Sequence, residues 1–387
     1  MSTLPPDFTL LQVVPELETG GAEQTTLDIA RAVVRAGGRA LVASRGGRME
    51  GRLEAYGARL VPLPVQSKNP LTITRNGVRL ARLVRDENIS LIHARSRAPA
   101  FSALIASRLT GVPFLATYHG VYAARGRLKR WYNGVMTRGP LTIANSSYTR
   151  DRIIADHGLD PESVIAIDRG VDLDWFDPAA VTPQRIETLR GRWRIDADDT
   201  RVKFVLAGRL TRWKGQQLIV EAAARLKALG GREPLILLVG DSQGRHEYRA
   251  ELEAQIRLAG LEDCVRLVGH CEDMPAAYLI CDYALAPSLE PEPFGRTAVE
   301  PQAMGRPVLA ADHGAARETV ADGETGWLVA PGDAAAWADA MAKALAATPA
   351  KRAAMGAAAS ARARRLYSVD AMCEATLKVY ARLVGRS

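Results

Sequence analysis

Short apolar runs alternate with amphipathic stretches along almost the whole chain, and this alternation restricts the fold more than any other feature. In the first half, strands are predicted at 8–14, 39–44, 58–63, 89–95, 113–118, 141–146 and 163–168. Helical periodicity fills the gaps at 22–36, 71–87, 98–109 and 147–157. Strands separated by helices of that length form βαβ units, which give a parallel sheet. After a break the pattern restarts, with strands predicted at 203–208, 235–240, 265–270, 283–288, 307–312 and 326–331. Alanine-rich helices then close the chain at 333–346, 350–365 and 370–384.

A chain of 387 residues exceeds what one hydrophobic core usually supports, so two domains follow. The break carries DLDWFDPAAVTP, a charged helical segment at 184–194 and DADDT, and its Pro- and Asp-rich composition marks residues 176–200 as the interdomain connection. The expected division is residues 1–175, completed by the closing helix 370–387, and residues 201–369. Both halves read as doubly wound α/β domains of Rossmann type. Ligands of such sheets bind outside the carboxyl ends of the strands, so the expected site is a cleft where two such faces meet.

Several function classes fall away on composition. The net charge of +8 calls for an acidic partner. The cations are scattered, without an RNA-binding aromatic motif, so nucleic acid is not expected. Cys264, Cys271, Cys281 and Cys373 form no CxxC pair, and the histidines form no HExxH motif, so no metal is expected. No apolar run reaches the ~20 residues of a membrane span. MSTLPPDFTLLQVVPE lacks the basic start of a signal peptide, which points to the cytoplasm.

Two segments carry the chemistry. AGRLTRWKG (207–215) follows a predicted strand and leads into a helix. Helix-start amides, the forked guanidinium of Arg209 and the mobile charge of Lys214 together suit an anion, although a solvated loop would have the same sequence. The second segment is LEPEPFGRTAVEPQAMGRPV (289–308). Pro291, Pro293 and Gly295 keep Glu292 on a loop, and the helix begins near Arg296, which sets Glu300 early within it. The amides of Phe294, Gly295 and Arg296 then point outward. Each carboxylate only accepts hydrogen bonds, which suits a vicinal diol.

In this order the two segments resemble the retaining GT-B glycosyltransferases of family 4. GGAE (20–23), TYHG (117–120), LVGDSQGRHEYRAELE (238–253), RLVGH (266–270), the ExxxxxxxE pair of Glu292 and Glu300, and DGETGWLVAPGD (322–333) match the same family in order. The resemblance implies a GT-B fold and transfer of a sugar from a UDP- or GDP-linked donor, without metal or other cofactor. Arg209 and Lys214 would neutralise the departing diphosphate. Glu292 would hold donor-sugar hydroxyls, and Glu300 the ribose. Asp241, Gly269 and His270 would frame the base. Gly20 and Gly21 would let the backbone approach the donor, and His119 would lie near the reacting sugar. The acceptor implied is a glycan or lipid-linked glycan of lipopolysaccharide, exopolysaccharide or glycolipid synthesis. A nucleotide-sugar epimerase of the same fold and a non-catalytic donor-binding subunit are the alternatives.

Two positions depart from the family pattern. Pro301 follows Glu300 where alanine is usual, and proline tends to kink an early helical turn. Ala315 replaces the second residue of a usual Gly-Gly pair and is expected to stiffen that loop. Finally, Arg75, Arg79 and Arg82 fall at spacings of four and three on one helix and form a basic stripe. Lys68 precedes it, and RGRLKRW (125–131) adds Arg125, Arg127, Lys129, Arg130 and Trp131. Either these cations are solvated, or they contact the acceptor or an anionic surface on the inner face of the cytoplasmic membrane.

Overall fold

Thirteen strands form where the apolar runs predict them. The computed structural model describes residues 4–18, 20–122, 126–230, 233–242, 244 and 246–385. The first sheet contains β1 (Thr9–Val13), β2 (Arg39–Ser44), β3 (Arg59–Pro62), β4 (Leu91–Ala94), β5 (Phe114–Tyr118), β6 (Leu141–Ala144) and β7 (Val164–Ala166). Their order is β3-β2-β1-β4-β5-β6-β7, with every pairing parallel. The second contains β8 (Lys203–Ala207), β9 (Leu235–Val239), β10 (Val265–Gly269), β11 (Tyr283–Ala286), β12 (Val308–Ala311) and β13 (Gly326–Val329). Its order is β10-β9-β8-β11-β12-β13, again entirely parallel.

Central strands such as β1 (TLLQV) and β9 (LILLV) are buried throughout, as expected where helices cover both faces. The edge strand β3 is half exposed and ends on Pro62, whose missing N–H costs nothing at an edge. In each sheet the strand order reverses once, at β1/β4 and at β8/β11. Loops leaving the carboxyl ends of those pairs diverge and leave a crevice.

The chain divides into two compact units, residues 1–170 with 369–387, and residues 171–368. In the first, the helices Gly21–Arg35 and Val369–Val384 cover one face of the sheet, with Leu27, Val33, Leu377 and Tyr380 in one core cluster. The closing helix is pinned by the Tyr380 hydroxyl, 2.7 Å from His93 Nδ1. The helices Pro70–Asp86 and Arg97–Thr110 cover the other face. They touch closely because Gly77 has no side chain: a Cβ there would lie 2.5 Å from the Ile105 methyl.

The second unit begins earlier than composition implies. Residues 176–200, expected as the connection, pack within this unit. Phe176, Val181, Leu189, Trp193 and Ile195 are buried with Val205 and Tyr278 in one cluster. Its first and last residues, Val171 and Ser368, pair as a β-bridge. All four cysteines are buried and free. No helix among the described residues is long and apolar enough to cross a membrane.

Candidate active site

The two segments singled out in the sequence leave β8 and β11, the strands that flank the switch point of the second sheet. After β8 the chain passes Gly208 and Arg209, makes one 3-10 turn at Arg212–Lys214, and enters the helix Gln216–Ala228. Gln216 Nε2 donates to the Arg209 carbonyl at 3.0 Å and holds the loop. After β11, the Leu289 N–H donates to the Trp213 carbonyl at 2.7 Å, which joins the two loops directly.

Across this junction Lys214 Nζ lies 2.6 Å from Glu292 Oε1, with the two side chains 12% and 18% exposed. Ser288 Oγ donates to the same carboxylate oxygen. The ammonium also sits 4.4 Å from the centroid of Trp213, a cation–π contact. Arg209 is different: it is exposed, and its guanidinium has no partner among the described residues. Among the described residues the β8 loop thus offers a held cation, Lys214, and an unpaired one, Arg209.

A small recess opens beside Glu292, lined by Ser288, Thr297, His313 and the methyl groups of Ala286, Ala310 and Ala311. Gly295, in left-handed conformation at φ +82, starts the helix Arg296–Ala303 without a side-chain cap. No side-chain oxygen caps its first turn, in which the Ala298 N–H donates to the Gly295 carbonyl at 2.9 Å, and Gly295, Thr297 and Ala298 line the recess. Helix-start amides favour an anion.

Glu300 is held from two sides. Arg296 Nη2 lies 2.9 Å from one carboxylate oxygen, and the Tyr278 hydroxyl donates to the other at 3.2 Å. Burial raises the Tyr278 phenol well above its ordinary range, and the Glu300 charge adds to this. The helix continues through Pro301 to Ala303. Only one turn precedes Pro301, so its missing N–H removes a single early helical bond. Ala315 is also benign: its backbone is right-handed, at φ −77, while the left-handed position is Gly314.

The remaining predicted donor residues of this unit gather at the ends of β8, β9 and β10. The Leu210 N–H donates to the Asp241 carbonyl at 3.0 Å, and the Gly240 N–H to the Gly269 carbonyl at 2.8 Å. His270 and Asp241 are exposed there. Gln243 and Arg245 of the same motif lie outside the described residues. The Phe294 ring does not face a ligand. It is 2% exposed and packs edge-on against Tyr367, which leaves only its backbone available.

Gly20, Gly21 and His119 belong to the first unit. Gly21 gives room to Arg169, whose Nη1 would lie 2.2 Å from a Cβ at that position. Arg169 Nη2 donates to the His119 carbonyl at 3.3 Å. Both ring nitrogens of His119 are buried without a partner among the described residues. Burial, then the charges of Arg169 and Arg95, hold its pKa well below the ordinary range, so the ring is neutral at physiological pH.

Arg75, Arg79, Arg82, Lys129 and Arg130 are all exposed and form no ion pair among the described residues. Arg125 lies outside those residues. Near these cations Leu71 is 76% exposed, Leu128 84% and Trp131 58%.

Sequence reading overlooked Tyr278, Arg169 and His313. Tyr278 and Arg169 carry no local signal, because their partners are distant in the chain. His313 had one: it lies just past the carboxyl end of β12, the strand beside β11.

The chain matches known proteins along most of its length. Residues 19–175 match the model of Glycosyltransferase Family 4, and residues 188–362 that of Glycosyl transferases group 1. A D-inositol 3-phosphate glycosyltransferase of Xylanimonas cellulosilytica is 32% identical over 255 residues, 65% of this chain and 59% of the relative. The match thus spans about three fifths of that curated relative. A glycosyltransferase crystal structure from Rickettsia africae aligns over 99% of this chain and 100% of its own, with TM-score 0.90 and 30% identity. Anabaena HepE, solved with UDP and glucose, aligns over 96% and 99%, with TM-score 0.81 and 26% identity.

Proposed function

From the premise that this chain belongs to the group 1, family 4 glycosyltransferases, we propose that it is a retaining GT-B enzyme that moves a sugar from a nucleotide diphosphate sugar to a glycan or lipid-linked glycan. The observation that carries this reading is the Lys214–Glu292 pair at the β8/β11 switch point, on a loop that also carries the exposed Arg209. Arg209 and Lys214 stabilise the diphosphate as the glycosidic bond breaks. Glu292 holds sugar hydroxyls, the first-turn amides of the helix Arg296–Ala303 face a phosphate, and Glu300, fixed by Arg296 and Tyr278, takes the ribose diol. Exposed Asp241 and His270, with the Gly269 backbone, frame the base.

The acceptor hydroxyl attacks the anomeric carbon on the face that the diphosphate leaves. Its proton passes to the departing phosphate oxygen, so no protein base is required. The chain's part is positioning and charge stabilisation. UDP is the favoured nucleotide, by likeness to the UDP-bound Anabaena structure, and GDP the alternative. The proposed setting is lipopolysaccharide, exopolysaccharide or glycolipid synthesis.

The test is a melting-temperature panel of UDP-glucose, UDP-N-acetylglucosamine, UDP-glucuronate and GDP-mannose, followed by release of nucleoside diphosphate from whichever binds. A ligand specific to the folded state raises the melting temperature by mass action. No shift and no release with any donor would remove the reading. Because cations serve the leaving group, turnover is expected to persist in EDTA. Complete loss in EDTA, restored by Mg²⁺ or Mn²⁺, would overturn the metal-independent mechanism.

Peripheral membrane association is part of the same proposal. Arg75, Arg79 and Arg82 lie on the helix Pro70–Asp86, and Lys129 and Arg130 on the helix Arg127–Asn133. Exposed Leu71, Leu128 and Trp131 lie among these unpaired cations. Each cation near an anionic leaflet contributes about 1 kcal/mol, so the set supports reversible binding. Co-sedimentation with anionic but not neutral liposomes is expected, weakening at high salt and in the Arg75→Ser, Arg79→Ser, Arg82→Ser variant. Equal, negligible binding to both would leave the cations as a solvated face.

A further inference from the structure

We propose that His313 is a donor-sugar specificity residue, which hydrogen-bonds a hydroxyl of the transferred sugar next to the one held by Glu292. The proposal rests on the glycosyltransferase reading and adds a residue and a role to it.

His313 is half-buried and lines the recess beside Ser288, Glu292 and Thr297, and both its ring nitrogens are shielded without a hydrogen-bond partner among the described residues. Shielded ring nitrogens left unpaired are unfavourable, so they are ready to pair with a polar ligand group. The neighbouring Asp312 pairs instead with Arg317 Nε at 2.7 Å.

The backbone fixes this ring relative to Glu292. The His313 N–H donates to the Ala311 carbonyl at 2.8 Å and turns the chain tightly at the end of β12. Gly314, at φ +60, then lies against the Glu292 backbone, where a Cβ would stand 2.7 Å from the Glu292 carbonyl oxygen. The Ala315 N–H donates to that same oxygen at 3.0 Å. The loops after β11 and β12 are thus locked together, and the imidazole and the carboxylate are presented as one unit.

Their chemistry is complementary. Glu292 only accepts, whereas an imidazole ring N–H donates, so neighbouring hydroxyls of one sugar satisfy both. A site built to pair a hydroxyl discriminates against sugars that lack it, because the polar group is left buried and unpaired.

The experiment compares the affinity of wild type, His313→Ala and His313→Gln for two ligands by calorimetry. One ligand is the panel sugar nucleotide that wild type binds best, and the other is its free nucleoside diphosphate. His313→Ala is expected to weaken the sugar nucleotide about tenfold, the loss of one hydrogen bond, and to leave the nucleoside diphosphate unchanged. His313→Gln, which keeps a donor and an acceptor, recovers part of the loss. Unchanged sugar-nucleotide affinity in His313→Ala would overturn the proposal, as would equal weakening of both ligands in both variants. Wild-type protein that binds no sugar nucleotide would remove the functional reading itself, a result distinct from either.

Discussion

Lys214→Ala and Arg209→Ala are each expected to lower turnover at least ~10²-fold at saturating donor, the scale for losing a preorganised charge stabiliser. The two variants should differ in stability. The Arg209 guanidinium is exposed and unpartnered among the described residues, so its loss should leave the melting temperature unchanged. Lys214 is paired with Glu292, and both are largely buried. Its removal leaves a carboxylate with Ser288 as the remaining hydrogen-bond donor and should cost roughly 1–3 kcal/mol. The pair also sets the order of events: a diphosphate must draw Lys214 from Glu292 or share it, and an ammonium with three donors can do the latter. Steady-state kinetics and thermal melts on both variants check this. Near-wild-type turnover in either would show that its charge does not serve the leaving group.

The sequence places Arg209 and Lys214 on one loop with equivalent roles, and their separation into a free and a held cation is a tertiary fact. The same boundary between local and distant information runs through the chain. Strands were legible because βαβ units write themselves as separate apolar runs, and β2, predicted at 39–44, falls on Arg39–Ser44. The switch-point loops were legible because glycine and proline mark strand ends. Residues 176–200 misled because turn residues dominate the composition, although Phe176, Leu189 and Trp193 are spaced to bury. Phe294 gave no sign that its ring would turn into the core against Tyr367, 73 positions away by the numbering. Tyr278 reaches Glu300 from another helix, and Arg169 reaches the His119 carbonyl from 50 positions along the chain. Side-chain partners of that kind have no periodicity, so pattern reading cannot find them.

Gly215→Ala should be among the most damaging single substitutions in the second unit. Gly215 is left-handed, at φ +77, and joins the 3-10 turn holding Lys214 to the helix Gln216–Ala228. A Cβ there would stand 2.2 Å from the Pro287 carbonyl oxygen and 2.9 Å from its carbon. Pro287 immediately precedes Ser288, so the clash falls between the two backbones that bring Lys214 and Glu292 together. Neither can rotate aside as a side chain would. The left-handed backbone alone costs an alanine about 1–2 kcal/mol. Forcing the loops apart should bring the total to roughly 3–4 kcal/mol, within the range of severe single substitutions. At ~2–4 °C per kcal/mol for a unit of this size, the melting temperature should fall by about 6–16 °C. Turnover should fall further than stability requires, since a displacement of ~1 Å at a positioned charge can cost ~10²-fold. Gly323→Ala is the matched control: its φ is +75, and a Cβ there meets nothing within 4 Å. It carries the backbone cost without the clash. If the two variants melt alike and retain equal activity, close approach of the β8 and β11 loops is not what Gly215 provides.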